Sequence, residues 1–117
     1  IEPVAHTAFQ VGLATAVVDL REPPFATGLD AWTHPTDYSA TQAFARVARA
    51  APIGGIIYPS VRDPEPAWCV AVLDPAAFAS PRPDPTMQTW WLAVQQDAVV
   101  WRRDSERLVF AASRWLA

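Results

Sequence analysis

The sequence has no lysine, one cysteine and two histidines among its 117 residues. The single cysteine, Cys69, excludes an internal disulfide, which suits a reducing cytoplasm. Nine arginines stand against twelve acidic residues, so the formal net charge is −3, without the overall positive field typical of nucleic-acid-binding proteins. No apolar run approaches the roughly 20 residues that span a bilayer. We therefore expect a cytoplasmic protein that binds neither membrane nor nucleic acid directly.

Generic catalytic and cofactor motifs are also missing from the sequence. It contains no P-loop, no dinucleotide fingerprint and no G-x-S-x-G elbow. His6 and His34 lie far apart in loop-like sequence without partners at metal-ligand spacing, so we expect solvated or capping histidines and no metal site. Cys69 lies in an apolar run without a basic neighbour, which indicates a buried, inert thiol rather than a nucleophile.

Hydrophobic residues make up 51% of the chain, which is enough to form a core. A chain of this length is typical of one domain, here residues 1–117, and buries roughly two-thirds of the surface of its unfolded state. The pattern contains more strand than helix. We therefore expect an α+β fold with a mixed, mostly antiparallel sheet and few helices.

Apolar alternation and β-branched residues predict several strands. The predicted strands are residues 8–20, 55–58, 67–73, 88–94 and 98–102. The last two are joined through residues 95–97, a loop length that predicts an antiparallel hairpin. Asp74-Pro75 opens a short turn or helix. Residues 106–116 are compatible with a strand or a helix, and we favour a helix.

The clearest helical segment begins at Ser39. Ser39 and Gln42 have the spacing of a capping box. Pro52 ends the helix, since the residue before a proline is displaced from the α region. The residues predicted to share the buried face are Ala40, Phe44, Val47, Ala48 and Ala51.

The segment 54–64 carries the strongest indication of chemistry. A buried strand ends at Pro59 and delivers Tyr58, Ser60 and Arg62 to one loop, which is where binding residues tend to lie. The serine is suited to hydrogen-bonding a ribose or an amide, and the arginine to clamping a phosphate. The alternative is structural: Ser60 caps a turn and Arg62 pairs with a neighbouring acid, Asp63 or Glu65. No general base is spaced to activate Ser60 as a nucleophile.

This segment and its surroundings resemble the RES domain family. The similarity extends over roughly residues 8–102, and the matching segments follow the family's order. They are Val18-Asp19-Leu20, Asp37-Tyr38 with Thr41-Gln42, Tyr58-Pro59-Ser60-Val61-Arg62-Asp63-Pro64, residues 69–73, and a Trp-containing hairpin from Trp90 to Trp101. The resemblance implies the C-terminal portion of a RES domain, with an ADP-ribosyltransferase-like fold that is incomplete in this chain.

Members of the family are toxins of bacterial toxin–antitoxin systems that degrade NAD or transfer its ADP-ribose. The resemblance implies NAD as substrate and an Xre-type antitoxin as partner. The family is named for an arginine, a glutamate and a serine, and only the serine is carried over here, to Ser60 as a catalytic residue. Tyr58 and Arg62 are the expected NAD-binding residues. Arg21 and Glu22 stand at the wrong place to be the other two.

The family's arginine and glutamate belong to an earlier segment than residue 8. An enzyme of this type needs them from a preceding segment or from another copy. With both present, the expected activity is that of an NAD glycohydrolase, a phosphorylase or an ADP-ribosyltransferase. The alternative is a non-catalytic module of the same fold that binds a partner through exposed tryptophans and the arginine-rich end of the chain.

Overall fold

A computed structural model describes residues 2–63 and 65–115 of the chain. The fold is α+β, and most of the strand pairing is antiparallel. The chain forms two compact units, one from the described parts of Ile1–Gly12 and Ser80–Ala117, the other from Leu13–Ala79. No helix in the described ranges combines the length and apolar character needed to cross a membrane.

The unit Leu13–Ala79 is built on a three-stranded sheet with the order β2-β3-β4. Strand β2 runs parallel to β3, and β3 runs antiparallel to β4. Short 3₁₀ helices at Phe25–Gly28 and Pro75–Ala77 accompany two α-helices in this unit. The bounds are Val17–Asp19 for β2, Leu29–Trp32 for α1, Ser39–Ala50 for α2, Gly55–Pro59 for β3 and Trp68–Val72 for β4.

Helix α2 begins at the predicted residue, and it ends just before Pro52 as the proline requires. The predicted capping box is wrong. The N-cap residue is Tyr38, which makes no side-chain cap. The Ser39 hydroxyl donates instead to Oδ1 of Asp37 at 2.7 Å, and the same oxygen accepts from the Ser39 backbone N–H at 3.0 Å. Val47 and Ala51 were expected on the buried face, but Val47 is 67% exposed and Ala51 is exposed as well. Phe44 and Ala48, predicted on the same face, do pack at the core.

The core of this unit forms where α2 covers the three-stranded sheet. Leu20, Ala48 and Ile56 are almost fully buried and contact one another. Phe44 packs edge-on against Phe25 and Trp32, with ring centroids 5.6 and 5.3 Å apart. Edge-to-face aromatic pairs add stability beyond the area that they bury. The same layer of side chains forms one wall of the cavity described below.

The turn into β3 depends on a close approach at Gly54. A Cβ atom built there would overlap the Oγ1 atom of Thr15 and lie 3.0 Å from its Cβ. The backbone at Gly54 is also engaged on both sides, since its N–H donates to Ala16 and its carbonyl accepts from Leu73. Glycine is therefore required for space rather than for a positive φ angle.

The other unit is an antiparallel sheet of four strands in the order β1-β5-β6-β7. The predicted hairpin is confirmed, and Trp90 and Trp91 take opposite faces of β5 because successive side chains alternate. His6, expected in a loop, lies in β1 and packs edge-on against Trp101 at 5.1 Å. The bounds are Val4–Ala8 for β1, Gln88–Val94 for β5, Ala98–Arg103 for β6 and Glu106–Ala111 for β7.

Two predicted elements differ in the structure. The strand predicted over residues 8–20 is wrong for most of its length, because only Ala8, in β1, and Val17–Asp19, in β2, lie in strands, and these belong to different sheets. Phe9 between them is 59% exposed. The helix favoured for residues 106–116 is wrong over Glu106–Ala111, where β7 pairs with β6, and only Ala112–Trp115 forms a short 3₁₀ helix, while residue 116 lies outside the described residues. A free edge of β6 satisfies the backbone of this segment better than an isolated helix of that length.

Candidate functional site

A cavity of about 460 Å³ lies in the unit Leu13–Ala79, between the sheet and α2. Its lining is mainly apolar and includes Leu20, Trp32, Phe44, Ile56 and Ala71. Polar groups converge on it from the end of β3, from β4 and from the loop that precedes α2. An apolar cavity with few convergent polar groups is typical of a small-molecule site, and this volume lies within the roughly 300–1,000 Å³ of such sites.

Strand β3 positions the three residues expected at the site. Alternation along the chain places Tyr58 and Ser60 on the same side as the core residue Ile56. Tyr58, Ser60 and Arg62 all line the cavity, as does Ile56. The strand stops after Pro59, which cannot extend the ladder. The abrupt end of β3 therefore brings a phenol, a hydroxyl and a guanidinium to one cavity, as the sequence predicts.

Ser60 is held by its backbone while its hydroxyl stays weakly engaged. The Ser60 N–H donates to the Ala67 carbonyl at 2.9 Å. The Oγ atom accepts from the Asp63 N–H at 3.4 Å, which is long for a hydrogen bond. Ser60 thus occupies the turn-capping position of the structural alternative. No described residue accepts its hydroxyl proton, so that hydrogen is available to a ligand.

Arg62 is anchored by a backbone carbonyl rather than by an acid. Its Nη2 donates to the Pro35 carbonyl at 2.7 Å, and no described acidic residue forms an ion pair with it, so the expected pairing with Asp63 or Glu65 is not seen. The Nε atom is buried without a hydrogen-bond partner among residues 2–63 and 65–115. A buried donor left unsatisfied costs about 1–3 kcal/mol. Such groups are rare in native proteins and often accompany function.

Tyr58 lies opposite Cys69 in the β3–β4 ladder, and both line the cavity. Burial raises the pKa of the Tyr58 phenol. The electrostatic effect of Cys69 and a hydrogen bond with Cys69 raise this pKa further. Tyr58 is therefore a neutral phenol near pH 7, able to donate a hydrogen bond. Cys69 is half-buried rather than fully buried.

The loop before α2 forms a second polar wall of the cavity, which the sequence did not indicate. The Nδ1 atom of His34 accepts from the N–H groups of Thr36 and Asp37, at 3.2 and 2.8 Å. The expectation of a capping histidine is confirmed by these bonds, but His34 also lines the cavity. The only nearby sequence signal was the motif Asp37-Tyr38, which marks the helix start and not the histidine.

Pro35 links the two polar walls of the cavity. Its carbonyl accepts from the Tyr38 hydroxyl at 2.9 Å as well as from Arg62. In the same loop, the pKa of the Asp37 carboxyl is lowered, first by the Ser39 hydroxyl and then by the Ser39 N–H. The loop is therefore ordered by its own short-range bonds before any ligand is present.

Arg21 and Glu22 do not belong to this cavity. Arg21 forms a bidentate pair with Asp19 at 2.9 and 2.8 Å, and its guanidinium lies 5.2 Å from the centre of the Trp68 ring. This pairing lowers the pKa of Asp19. Arg21 is committed to a structural contact at the end of β2, in agreement with its exclusion as a site residue.

Metal ligands do not cluster in the described part of the chain. Over residues 2–63 and 65–115, no group of three or more His, Cys, Asp or Glu side chains is arranged to hold a metal ion. The polar groups at the cavity are hydrogen-bond donors in the main, namely Tyr58, Ser60, Arg62 and the His34 ring. Such a set is suited to a ligand rich in oxygen acceptors.

Comparison with known proteins identifies one family. A family model described as "RES domain" matches residues 2–95, which is more than half of the chain. The match includes all of the cavity residues named above. No curated protein matches the chain.

Proposed function

The chain belongs to the RES domain family, and from this membership and the cavity we propose that it acts on NAD as the toxin of a bacterial toxin–antitoxin pair. The reaction is cleavage of the nicotinamide–ribose bond or transfer of ADP-ribose to an acceptor. An Xre-type antitoxin in the same cytoplasm would cover the cavity and block it. The sequence resemblance to the toxins of such pairs supports this partner.

One observation carries the proposal: Tyr58, Ser60 and Arg62 line the same cavity, and no described acidic residue neutralises the arginine. NAD presents a diphosphate, two riboses and a carboxamide, which together need several donors around an apolar wall. Arg62 provides a permanent positive charge for the diphosphate. Ser60 and Tyr58 provide neutral donors for ribose oxygens or for the carboxamide.

The bond that breaks joins the ribose C1′ atom to the nicotinamide nitrogen. Its electron pair leaves with nicotinamide, so positive charge develops on the ribose and must be stabilised. Ser60 orients the ribose or nicotinamide side of the substrate. The family's glutamate would stabilise the developing charge and its arginine would hold the phosphates. We assign neither of these to a residue of this chain, and another segment of the gene product or another copy would supply them.

The test is NAD consumption by the complete gene product, free of antitoxin. NAD loss and nicotinamide release are measured for the wild type and for Ser60→Ala. We expect the variant to turn over NAD about 100-fold more slowly, the typical effect of removing one well-placed donor. Ser80→Ala, an exposed serine of the other unit, is the matched control and is expected to retain wild-type turnover.

A second candidate function is favoured by the exposure of large aromatic side chains. Trp68 is 57% and Trp91 49% exposed, and exposed tryptophans are frequent at protein interfaces. A non-catalytic module of this fold would bind a protein partner without consuming NAD. A folded, antitoxin-free gene product that shows no NAD turnover contradicts the enzyme and supports this alternative.

A further inference from the structure

The hydrogen bonds of His34 determine which ring nitrogen carries its proton. Nδ1 accepts from two backbone N–H groups, those of Thr36 and Asp37. A nitrogen that accepts cannot carry a proton, so the neutral ring holds its hydrogen on Nε2. No described residue accepts from Nε2. The ring therefore presents one free N–H donor, and it does so from the wall of the cavity.

Arg62 and His34 are brought together by Pro35. The Pro35 carbonyl fixes Nη2 of Arg62 at 2.7 Å, and His34 is the preceding residue in the chain. The Nε atom is buried, so a ligand is left with the hydrogens of Nη1 and the second hydrogen of Nη2. Arg62 and His34 thus line the same cavity from segments far apart in sequence, and the Pro35 bond ties Arg62 to the loop that carries His34.

We infer that His34 is a ligand-binding residue that donates from Nε2 to the same diphosphate as Arg62. The inference rests on the proposed function, since it names the part of the dinucleotide that this end of the cavity takes. A guanidinium beside a neutral N–H donor suits an oxyanion with several acceptor oxygens. The nicotinamide and its ribose then lie towards Ser60.

The one acidic side chain among these lining residues does not oppose this assignment. Asp37 also lines the cavity, but its Oδ1 atom is engaged by the N–H and the hydroxyl of Ser39. It organises the loop that holds His34 in its tautomer. The Asp37 carboxylate keeps its charge, but it forms no ion pair with Arg62 among the described residues, so the guanidinium is left to an anionic ligand.

The experiment uses two substitutions that divide the functions of the two ring nitrogens. In His34→Asn the amide oxygen replaces Nδ1 as acceptor in the turn, as asparagine commonly does, but the Nε2 donor is lost. In His34→Gln an amide N–H reaches about as far as Nε2, while the turn acceptor is lost. ADP is the probe, because it carries the diphosphate and has no nicotinamide bond to break.

ADP affinity is measured by titration calorimetry on the complete gene product, and adenosine affinity by ligand-observed NMR. We expect His34→Asn to weaken ADP binding about tenfold, as loss of one hydrogen bond to a charged group does, and to leave adenosine binding unchanged. His34→Gln is expected to retain most of the ADP affinity. His6→Asn, in the other unit, is the matched control and should bind ADP as the wild type does.

The outcomes separate the inference from the proposed function. A wild type that binds neither NAD nor ADP contradicts the proposed function. A wild type that binds both, with unchanged ADP affinity in His34→Asn, overturns only the inference. Equal losses in the Asn and Gln variants, or a parallel loss of adenosine binding, would show that His34 acts by shaping the loop, and they also overturn it.

Discussion

The Nη2 group of Arg62 donates a 2.7 Å hydrogen bond to the carbonyl oxygen of Pro35, which lies 27 residues earlier in the chain. This bond connects the loop after β3 with the loop before α2. The Tyr38 hydroxyl donates to the same oxygen at 2.9 Å. One carbonyl therefore sets the position of the guanidinium at the cavity and couples it to the start of the helix.

Replacing Arg62 by glutamine should impair NAD binding while the protein still folds. Loss of the Pro35 bond costs about 1 kcal/mol, and the glutamine amide keeps a polar atom near the position of Nε, so the free energy of unfolding should fall by about 1–2 kcal/mol. The KM for NAD should rise about tenfold or more, since a charged donor to the diphosphate is lost. Steady-state kinetics and urea denaturation measure the two effects.

The control for Arg62 is Arg82→Gln, which changes an exposed arginine in the other unit. We expect it to alter neither KM nor stability. A loss of several kcal/mol in Arg62→Gln with an unchanged KM would instead make the arginine a structural residue, as in the alternative that the sequence left open.

Truncation of Leu20 to alanine should destabilise the unit Leu13–Ala79. The side chain is 2% exposed and contacts both α2 and the sheet core. Removing it leaves a void, which costs about 2–5 kcal/mol. Leu29→Ala is the matched control, because Leu29 is 43% exposed in the same unit and should cost about 1 kcal/mol or less. If urea denaturation showed equal losses of unfolding free energy in the two variants, the placement of Leu20 in the core would be contradicted.

Introducing a Cβ at Gly54 should destabilise the protein by about 1–3 kcal/mol, the usual effect of overpacking. The reason is the overlap with the side chain of Thr15. In a Thr15→Ala background, Gly54→Ala should therefore lower the free energy of unfolding by less, because the overlapping Oγ1 atom is gone. Some loss should remain, since the alanine at position 15 keeps the Cβ atom. Urea denaturation of the four proteins gives the coupling. An identical cost in both backgrounds would exclude Thr15 as the cause.

Stability should depend on pH through Asp37. Its pKa is lowered in the folded protein by the Ser39 hydroxyl and N–H, so the folded state binds this proton less readily than the unfolded state. The resulting stability is present above the unfolded pKa of about 3.9 and is lost as pH falls through the lowered folded value.

The matching measurement is urea denaturation of the wild type and of Asp37→Asn between neutral and acidic pH. The variant keeps an acceptor oxygen but has no charge to titrate. We expect it to be less stable than the wild type at neutral pH, with the difference shrinking below about pH 4. Ser39→Ala, which removes one of the two bonds, should show a smaller pH-dependent loss than the wild type. A constant difference at every pH would refute the role of the Asp37 charge.

Local signals predicted those elements whose ends are set by the chain itself. The helix from Ser39 is bounded by Pro52, β3 by the glycine turn and Pro59, and the β5–β6 hairpin by its short loop. Prolines and glycines restrict the backbone in any context, so the bounds could be read without knowing the neighbours. The sequence also predicted that Tyr58, Ser60 and Arg62 lie close together, because all three belong to the end of one strand.

Long-range partners decided the rest. The segment 106–111 alternates apolar residues and also suits a helix, and only the free edge of β6 selects the strand. The Ser39 hydroxyl does not cap the helix because the preceding loop places the Asp37 carboxylate where it accepts from that hydroxyl and from the Ser39 N–H. His34 joined the cavity for the same reason, and no spacing relative to Ser60 or Arg62 could have indicated it.

By itself, the sequence determined the α+β class, the family and the strand end that carries Tyr58, Ser60 and Arg62, because these depend on periodicity, on backbone-restricting residues and on an ordered motif. Only the tertiary structure decided that Arg62 is held by Pro35 and not by a neighbouring acid, and that His34 faces the same cavity. Both contacts join residues distant in sequence. Their geometry arises when α2 packs on the sheet to bury Leu20, Ala48 and Ile56, which is a property of the folded core and not of any local pattern.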